Sequence, residues 1–378
     1  MAVPLASLPR EKVKRILVIK PSSIGDVVHT LPVVSALRRG FPDSFIAWMV
    51  EEEAADIVRG NPYLDEILLS GRKRWLRELK QNLPSLSTCR EVWGFLRTLR
   101  ARQFDLVIDL QGLLKSAVPG LLSGASFRLG YSKAREMSHI LLTHRVLVDD
   151  GKMHSVDRYL AILPYLGIPV PAQEREFWIS ISERDEAAAS RLLDGHGGSP
   201  GQIWIALNAP ARWQSKRWPK ERFAELGNRL VRHLRAHIVL TGSKGDRVEA
   251  EEIASLMGCN VTVAAGETSL KQLCGILKRV DLMVTCDSGP MHIAAAMGTP
   301  TVALFGPTDP KRTGPYGTGH KVLQGRMDCI PCFKRKCPEN LCMKEITVEE
   351  VLAAAEGILT AGLLRSVHPD DDSKGGEA

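Results

Sequence analysis

An aspartate in the first turn of a helix that opens directly after a buried strand is placed to take a proton at neutral pH, and KPSSIGDVVHTLPVV puts Asp26 there. Ser22, Ser23, Ile24 and Gly25 form the preceding loop, where a doubly wound sheet binds ligands. A dinucleotide site would need three glycines and an acid about 20 residues later, and only Gly25 is present. Asp26 would serve equally well as the cap of a helix covering residues 27–39.

A second cluster lies in VTCDSGPMHIAAAMGTPTVALFGPTDP. A strand stops at Cys286, Asp287-Ser288-Gly289-Pro290 turns the chain, and a helix begins with His292 in its first turns. Its free amides and dipole suit an anion such as phosphate. Gly289 allows close backbone approach, Ser288 offers a hydroxyl, and Asp287 can accept from sugar hydroxyls. A bland alternative makes Ser288 an N-cap and His292 a packed core residue.

ALNAPARWQSKRWPKERF sets Lys216 and Arg217 ahead of Trp218-Pro219, either as a diphosphate contact or as a solvated basic loop. TGSKGDRVEAEE lacks the P-loop spacing, so ATP hydrolysis is not indicated. Cys329, Cys332, Cys337 and Cys342 could bind zinc or an iron–sulfur centre, but they match neither paired zinc knuckles nor common ferredoxin runs, and the favoured reading is free thiols in a packed basic loop. No DxD motif stands near a strand end, because Asp370 to Asp372 fall in the terminal HPDDDSKGGEA. No metal and no cofactor is expected.

Apolar Val/Ile/Leu runs alternating with longer amphipathic stretches position these loops, which is the rhythm of parallel βαβ units. Five fall in the first half (13–20, 45–50, 65–69, 104–110, 144–148) and five in the second (202–208, 236–242, 260–265, 281–286, 300–306). The length of 378 residues fits two α/β domains. A Pro/Gly-flanked segment around a helix near Glu183 separates them, a last helix covers about 347–364, and the boundaries are read as 1–178, 179–366 and a disordered tail, 367–378. No apolar run is long enough to cross a bilayer, and no signal peptide is visible, so the protein is expected to be cytoplasmic. The net charge of +7 is uneven: residues 71–102 hold nine Lys or Arg against Glu78 and Glu91. With Trp75, Leu76, Leu79, Trp93, Phe95 and Leu96 interleaved, that stretch suits an anionic bilayer or an acidic substrate.

Together, SSIGDVVHTLP, FDLVIDLQGLLKSA, the KRWP segment, DSGPMHIAAAMGTPTVALFGPTDP and CFKRKCPENLCM resemble the lipopolysaccharide heptosyltransferases, from about Arg15 to Val351. The resemblance implies a GT-B fold, two Rossmann-like domains facing a central cleft. It implies an inverting, metal-independent transferase that moves heptose from ADP-heptose to the Kdo/heptose inner core. Asp26 would be the general base and Lys216 a diphosphate contact. Asp287, Ser288, Gly289 and His292 would hold the donor, with Asp246 or Glu249 on its ribose. Ser23, Gly25, Lys115 and Arg135 would lie on the acceptor side. Pro210 and Ala211 depart from the family, standing where type I members carry hydroxyl residues. GLLKSA and MHSVDRY are closer to type I and the cysteine segment to type II. Implied partners are ADP-heptose, a Kdo-lipid A or heptosylated acceptor and the inner face of the inner membrane, but no nucleic acid. Two rival readings share the architecture, a nucleotide-sugar 2-epimerase and a non-catalytic sugar-binding protein.

Overall fold

Runs apolar at every position, too short for helices and rich in branched side chains, become strands covered on both faces. In β1 (Arg15–Ile19), Ile16, Leu17, Val18 and Ile19 are each 0% exposed, and each contributes roughly 1.5–3 kcal/mol by leaving water. The computed structural model describes residues 10–81, 85–148, 153–195, 201–259 and 261–367, and the chain divides after Ser180 into two compact units.

The first unit is one parallel sheet of β1, β2 (Phe45–Glu51), β3 (Glu66–Ser70), β4 (Leu106–Asp109), β5 (Phe127–Tyr131) and β6 (His144–Val146), in the order β3-β2-β1-β4-β5-β6. The second contains β7 (Trp204–Asn208), β8 (His237–Leu240), β9 (Val261–Val263), β10 (Leu282–Cys286), β11 (Thr301–Phe305) and β12 (His320–Gln324), ordered β12-β11-β10-β7-β8-β9. Read from its other edge, that is the same winding. In each unit the direction of winding reverses between the first and fourth strands, and ligands of such sheets bind beyond the carboxyl ends at that switch point. The loops after β1 and β4 flank it in one unit, and the loops after β7 and β10 in the other.

Ten of these strands coincide with the apolar runs of the sequence. β5 and β12 do not, for identifiable reasons. Arg128 and Gly130 interrupt the apolar signal of FRLGY, and HKVLQ is a half-exposed edge strand. The helix near Glu183 spans Glu183–Asp194 and lies on helix Leu270–Arg279. Gly275 permits the approach, since a Cβ there would stand 3.0 Å from that of Ala189. The final helix, Val348–Val367, runs past Leu364, so Val367 is helical rather than part of the tail; positions 368–378 lie outside the described residues. Among the described residues no helix is long and apolar enough to cross a membrane.

Trp218 anchors the lysine-bearing loop to the second core. It is 2% exposed, meets Phe223 edge-on at 5.0 Å and donates from Nε1 to Ile346 O at 2.9 Å, while its amide points at Cys286 Sγ, 3.4 Å away. Trp218→Ala should therefore destabilise the second unit by about 3–5 kcal/mol. Urea denaturation of the full chain should show the unfolding step of this unit moving to lower urea, and an unmoved midpoint would show that the loop is held by other contacts.

Candidate active site

In the first unit a lysine closes an otherwise apolar strand. Lys20, only 2% exposed, follows β1 and needs partners for an ammonium taken out of water. Its Nζ donates to Tyr159 Oη at 2.7 Å and to Leu110 O at 3.1 Å, stands 3.5 Å from Asp26 Oδ1, and lies 4.3 Å from the centroid of the Tyr159 ring. Tyr159 donates its own proton to Asp26 Oδ1 at 2.6 Å. The other carboxylate oxygen, Oδ2, accepts from the amide and hydroxyl of Ser23 at 3.1 and 2.9 Å. Asp26 thus caps helix Ile24–Gly40 with one oxygen and meets the buried cation with the other, so capping does not use up the whole carboxylate. Its side chain remains 35% exposed. Burial alone would raise its pKa, but the charge of Lys20, the Tyr159 hydroxyl and the Ser23 amide outweigh burial and hold the carboxyl well below the usual range. For the Lys20 ammonium burial acts with the opposite sign and lowers its pKa, against the opposing charge of Asp26.

Across the switch point Asp109 closes β4. Its Oδ1 accepts from the amides of Gln111 and Gly112 at 2.9 and 3.1 Å, and its Oδ2 from Ser116 Oγ at 2.9 Å. That folds the loop so that Lys115 reaches Ser22 Oγ at 2.6 Å. Gly112 has φ +64°, a conformation that favours glycine. Burial lowers the Lys115 pKa; Glu51 opposes this, while Arg72 and Lys73 add to it. Those two cations are themselves tied to the buried Glu51, at 2.8 and 3.3 Å. Gly25 is buried in the first turn of its helix. Arg135 is exposed and joined to this loop through its backbone amide, which donates to Gly112 O at 3.1 Å.

The second unit repeats the arrangement with different residues. Asp287 follows β10 and Lys216 lies in the loop after β7. Lys216 Nζ donates to Asp287 Oδ2 at 2.5 Å, and Thr308 Oγ1 donates to the same oxygen at 2.7 Å. The two charged side chains are 15% and 5% exposed. Ser288 is the N-cap residue of helix Gly289–Ala296 and accepts from Asn208 Nδ2 at 3.3 Å. Thr241 Oγ1 in turn donates to Asn208 Oδ1 at 3.2 Å. His292 is buried in the first turn. Asp246 is turned into its own loop, its Oδ2 accepting from the amide and hydroxyl of Ser243 at 2.8 and 2.5 Å, and Glu249 accepts from Arg217 at 3.1 Å. Of the four late cysteines, Cys329 is exposed, Cys332 and Cys337 are half-buried and Cys342 is buried, so the loop is less packed than its sequence suggested. Among the described residues no group of three His, Cys, Asp or Glu is arranged to hold a metal ion.

The sequence reading overlooked Lys20, Tyr159, Asn208 and Thr308. For Lys20 there was a signal, a cation directly continuing the apolar run RILVI. For Tyr159 there was none, since its partner Asp26 is 133 residues away.

The Asp26–Lys20 pair has a definite pH signature. A carboxyl whose native pKa lies below its ordinary 3.8 stabilises the fold at every pH above that value and loses the contribution as pH falls below it. The stability gap between the wild type and Asp26→Asn should thus stay constant from pH 7 down to about 4.5 and close only at more acid pH. Urea titrations across that range test this, and a gap already shrinking between pH 7 and 5 would place the Asp26 pKa too high for the network described.

The family model for glycosyltransferase family 9 (heptosyltransferase) matches residues 92–343. Lipopolysaccharide heptosyltransferase 1 of Pseudomonas aeruginosa is 30% identical over 366 residues, covering 92% of this chain and 98% of that one. Lipopolysaccharide heptosyltransferase 1 of Salmonella typhimurium is 31% identical over 307 residues, covering 80% and 92%. The crystal structure of the family 9 glycosyl transferase from Veillonella parvula superposes with a TM-score of 0.77 at 28% identity, covering 92% of this chain and 97% of that one. Two parallel six-stranded α/β units, polar loops gathered at both switch points and relatives matched along nearly their whole length lead to one assignment: the chain belongs to glycosyltransferase family 9, the heptosyltransferases, and has their GT-B fold.

Proposed function

We propose that this glycosyltransferase moves L-glycero-D-manno-heptose from ADP-heptose to the Kdo/heptose inner core of lipopolysaccharide, with inversion, by a single displacement. The observation that carries the reading is Asp26: an ionised, part-exposed carboxylate fixed at the carboxyl end of β1 by Lys20, Tyr159 and Ser23. A sugar hydroxyl is a poor nucleophile until a base removes its proton. The acceptor oxygen forms its bond to the anomeric carbon, the carbon–phosphate oxygen bond breaks, the hydroxyl proton passes to Asp26, and ADP departs with the electron pair. A carboxylate of lowered pKa binds that proton weakly, but it is fully ionised at every working pH. Tyr159 and Lys20 keep it so.

In this reading the departing diphosphate develops its charge beside Lys216 and the amides that open helix Gly289–Ala296, with Asp287, Ser288 and His292 shaping the donor pocket. Asp246 and Glu249 remain candidates for the ribose on the loop after β8. Ser23, Gly25, Lys115 and Arg135 would receive the acceptor. The basic helices Arg72–Gln81 and Leu86–Ala101 expose Leu76, Leu79, Leu86 and Trp93, the last at 69%, beside Arg77, Lys80, Arg90 and Arg97. This pattern supports peripheral docking on an anionic membrane at the cytoplasmic face, next to a lipid-anchored acceptor.

The test is incubation with ADP-heptose and either Kdo2-lipid A or its heptosylated product, followed by mass spectrometry. One added heptose is expected, on one of the two acceptors and with EDTA present. ADP release without a heptosylated product, or a requirement for added magnesium or manganese, would contradict the proposal. Asp26→Asn should lower single-turnover transfer by roughly 10²–10⁴-fold while leaving calorimetric ADP binding intact, whereas Lys216→Ala should weaken ADP binding. Normal transfer by Asp26→Asn would reduce Asp26 to a helix cap.

A further inference from the structure

The cysteine-bearing loop after β12 takes no part in either carboxylate cluster, yet it is fastened to the loop that carries Lys216. Ser215, fully buried, donates from Oγ to Lys334 O at 2.6 Å and from its amide to Arg335 O at 3.5 Å. Asn340 Nδ2 donates to Arg217 O at 3.0 Å, and the Phe333 amide to Pro307 O at 2.9 Å. These anchors set the guanidinium of Arg335 at 5.5 Å from the centroid of the Trp213 ring, which also carries the Lys216 ammonium at 4.6 Å. Two cations share one indole face system. Lys334, Arg335 and Lys336 are all exposed, and among the described residues none of them pairs with a carboxylate.

The charges around Lys216 show what this arrangement supplies. Lys216 is in direct contact with Asp287, so the pair is close to neutral. The helix that opens at Gly289 adds about half an elementary charge. A terminal phosphate alone brings about −1.5 to −2 at neutral pH, and it arrives beside a carboxylate. The lysine and the helix end leave that charge under-compensated, and the deficit grows as the leaving group departs.

We propose that Arg335 is the second cation of the nucleoside-diphosphate site, held on Trp213 and delivered by the anchored cysteine loop. Its planar fork presents two parallel N–H groups to two phosphate oxygens, whereas the point charge of Lys216 already directs one of its three N–H groups at Asp287. The inference rests on the reading of Lys216 as a diphosphate contact.

Calorimetry of ADP and of adenosine with the wild type, Arg335→Ala, Arg335→Lys and Lys216→Ala separates the possibilities. Arg335→Ala should weaken ADP by about 10-fold or more and flatten its salt dependence. Adenosine affinity and the thermal midpoint should not change, because the side chain is exposed. Arg335→Lys should recover part of the loss. ADP binding by Arg335→Ala at wild-type strength, with Lys216→Ala weakened, would overturn this inference alone. Wild-type ADP binding by both variants would overturn the Lys216 reading as well. Equal loss of ADP and adenosine in Arg335→Ala would mark a structural effect and also defeat the inference.

Discussion

A lysine ammonium withdrawn from water needs a carboxylate within reach, and each unit of this protein meets that demand at the place where its sheet changes winding direction. Lys20 meets Asp26 in the first unit, and Lys216 meets Asp287 in the second. Parallel strands bury their apolar side chains on both faces, but the chain leaving each carboxyl end is polar backbone that must find partners. At the switch point the two flanking loops diverge to opposite faces of the sheet, and side chains bridge the gap. Lys20 reaches Leu110 O from the β1 loop to the β4 loop, and Asn208 reaches Ser288 from the last residue of β7 to the β10 loop.

The same pairing has opposite consequences in the two units. In the first, the lysine is the deeply buried partner and the carboxylate faces outward, so the cation holds an ionised carboxylate at the surface. In the second, the carboxylate is the more buried partner, at 5% against 15%, and also takes the Thr308 hydroxyl. That leaves the lysine as the member nearer solvent, and its charge is already partly spent. Burial order within an ion pair therefore decides which end faces solvent. Desolvation offsets much of the Coulomb attraction in such sites, so the stability that the ionised Asp26 contributes is what remains after that cost.

Indole and glycine residues set the loops around these pairs. Trp218 locks one end of the Lys216 loop into the core, while Trp213 holds its cations near the surface. The cysteine loop is bound to the same segment through Ser215 and Asn340. A stretch that looked in sequence like an isolated basic insertion is thereby joined to the Lys216 loop of its own unit.

The sequence by itself determined what depends on short-range pattern. Ten apolar runs gave ten strands, because short segments rich in branched apolar side chains pack well in the pleated interior of a parallel sheet. Asp26, Lys216, Asp287 and Ser288 were legible because strand-to-helix loops in such sheets are where polar groups gather. β5 and β12 were not legible, since Arg128 with Gly130 and an edge position erase the apolar signal. Only the tertiary structure decided the partners: that Tyr159 gives its proton to Asp26, that Thr308 and Lys216 share one oxygen of Asp287, and that Arg335 stands over the ring beneath Lys216. These contacts join positions as far as 133 residues apart, and no local spacing encodes a hydrogen bond that exists only once the sheet has been wound.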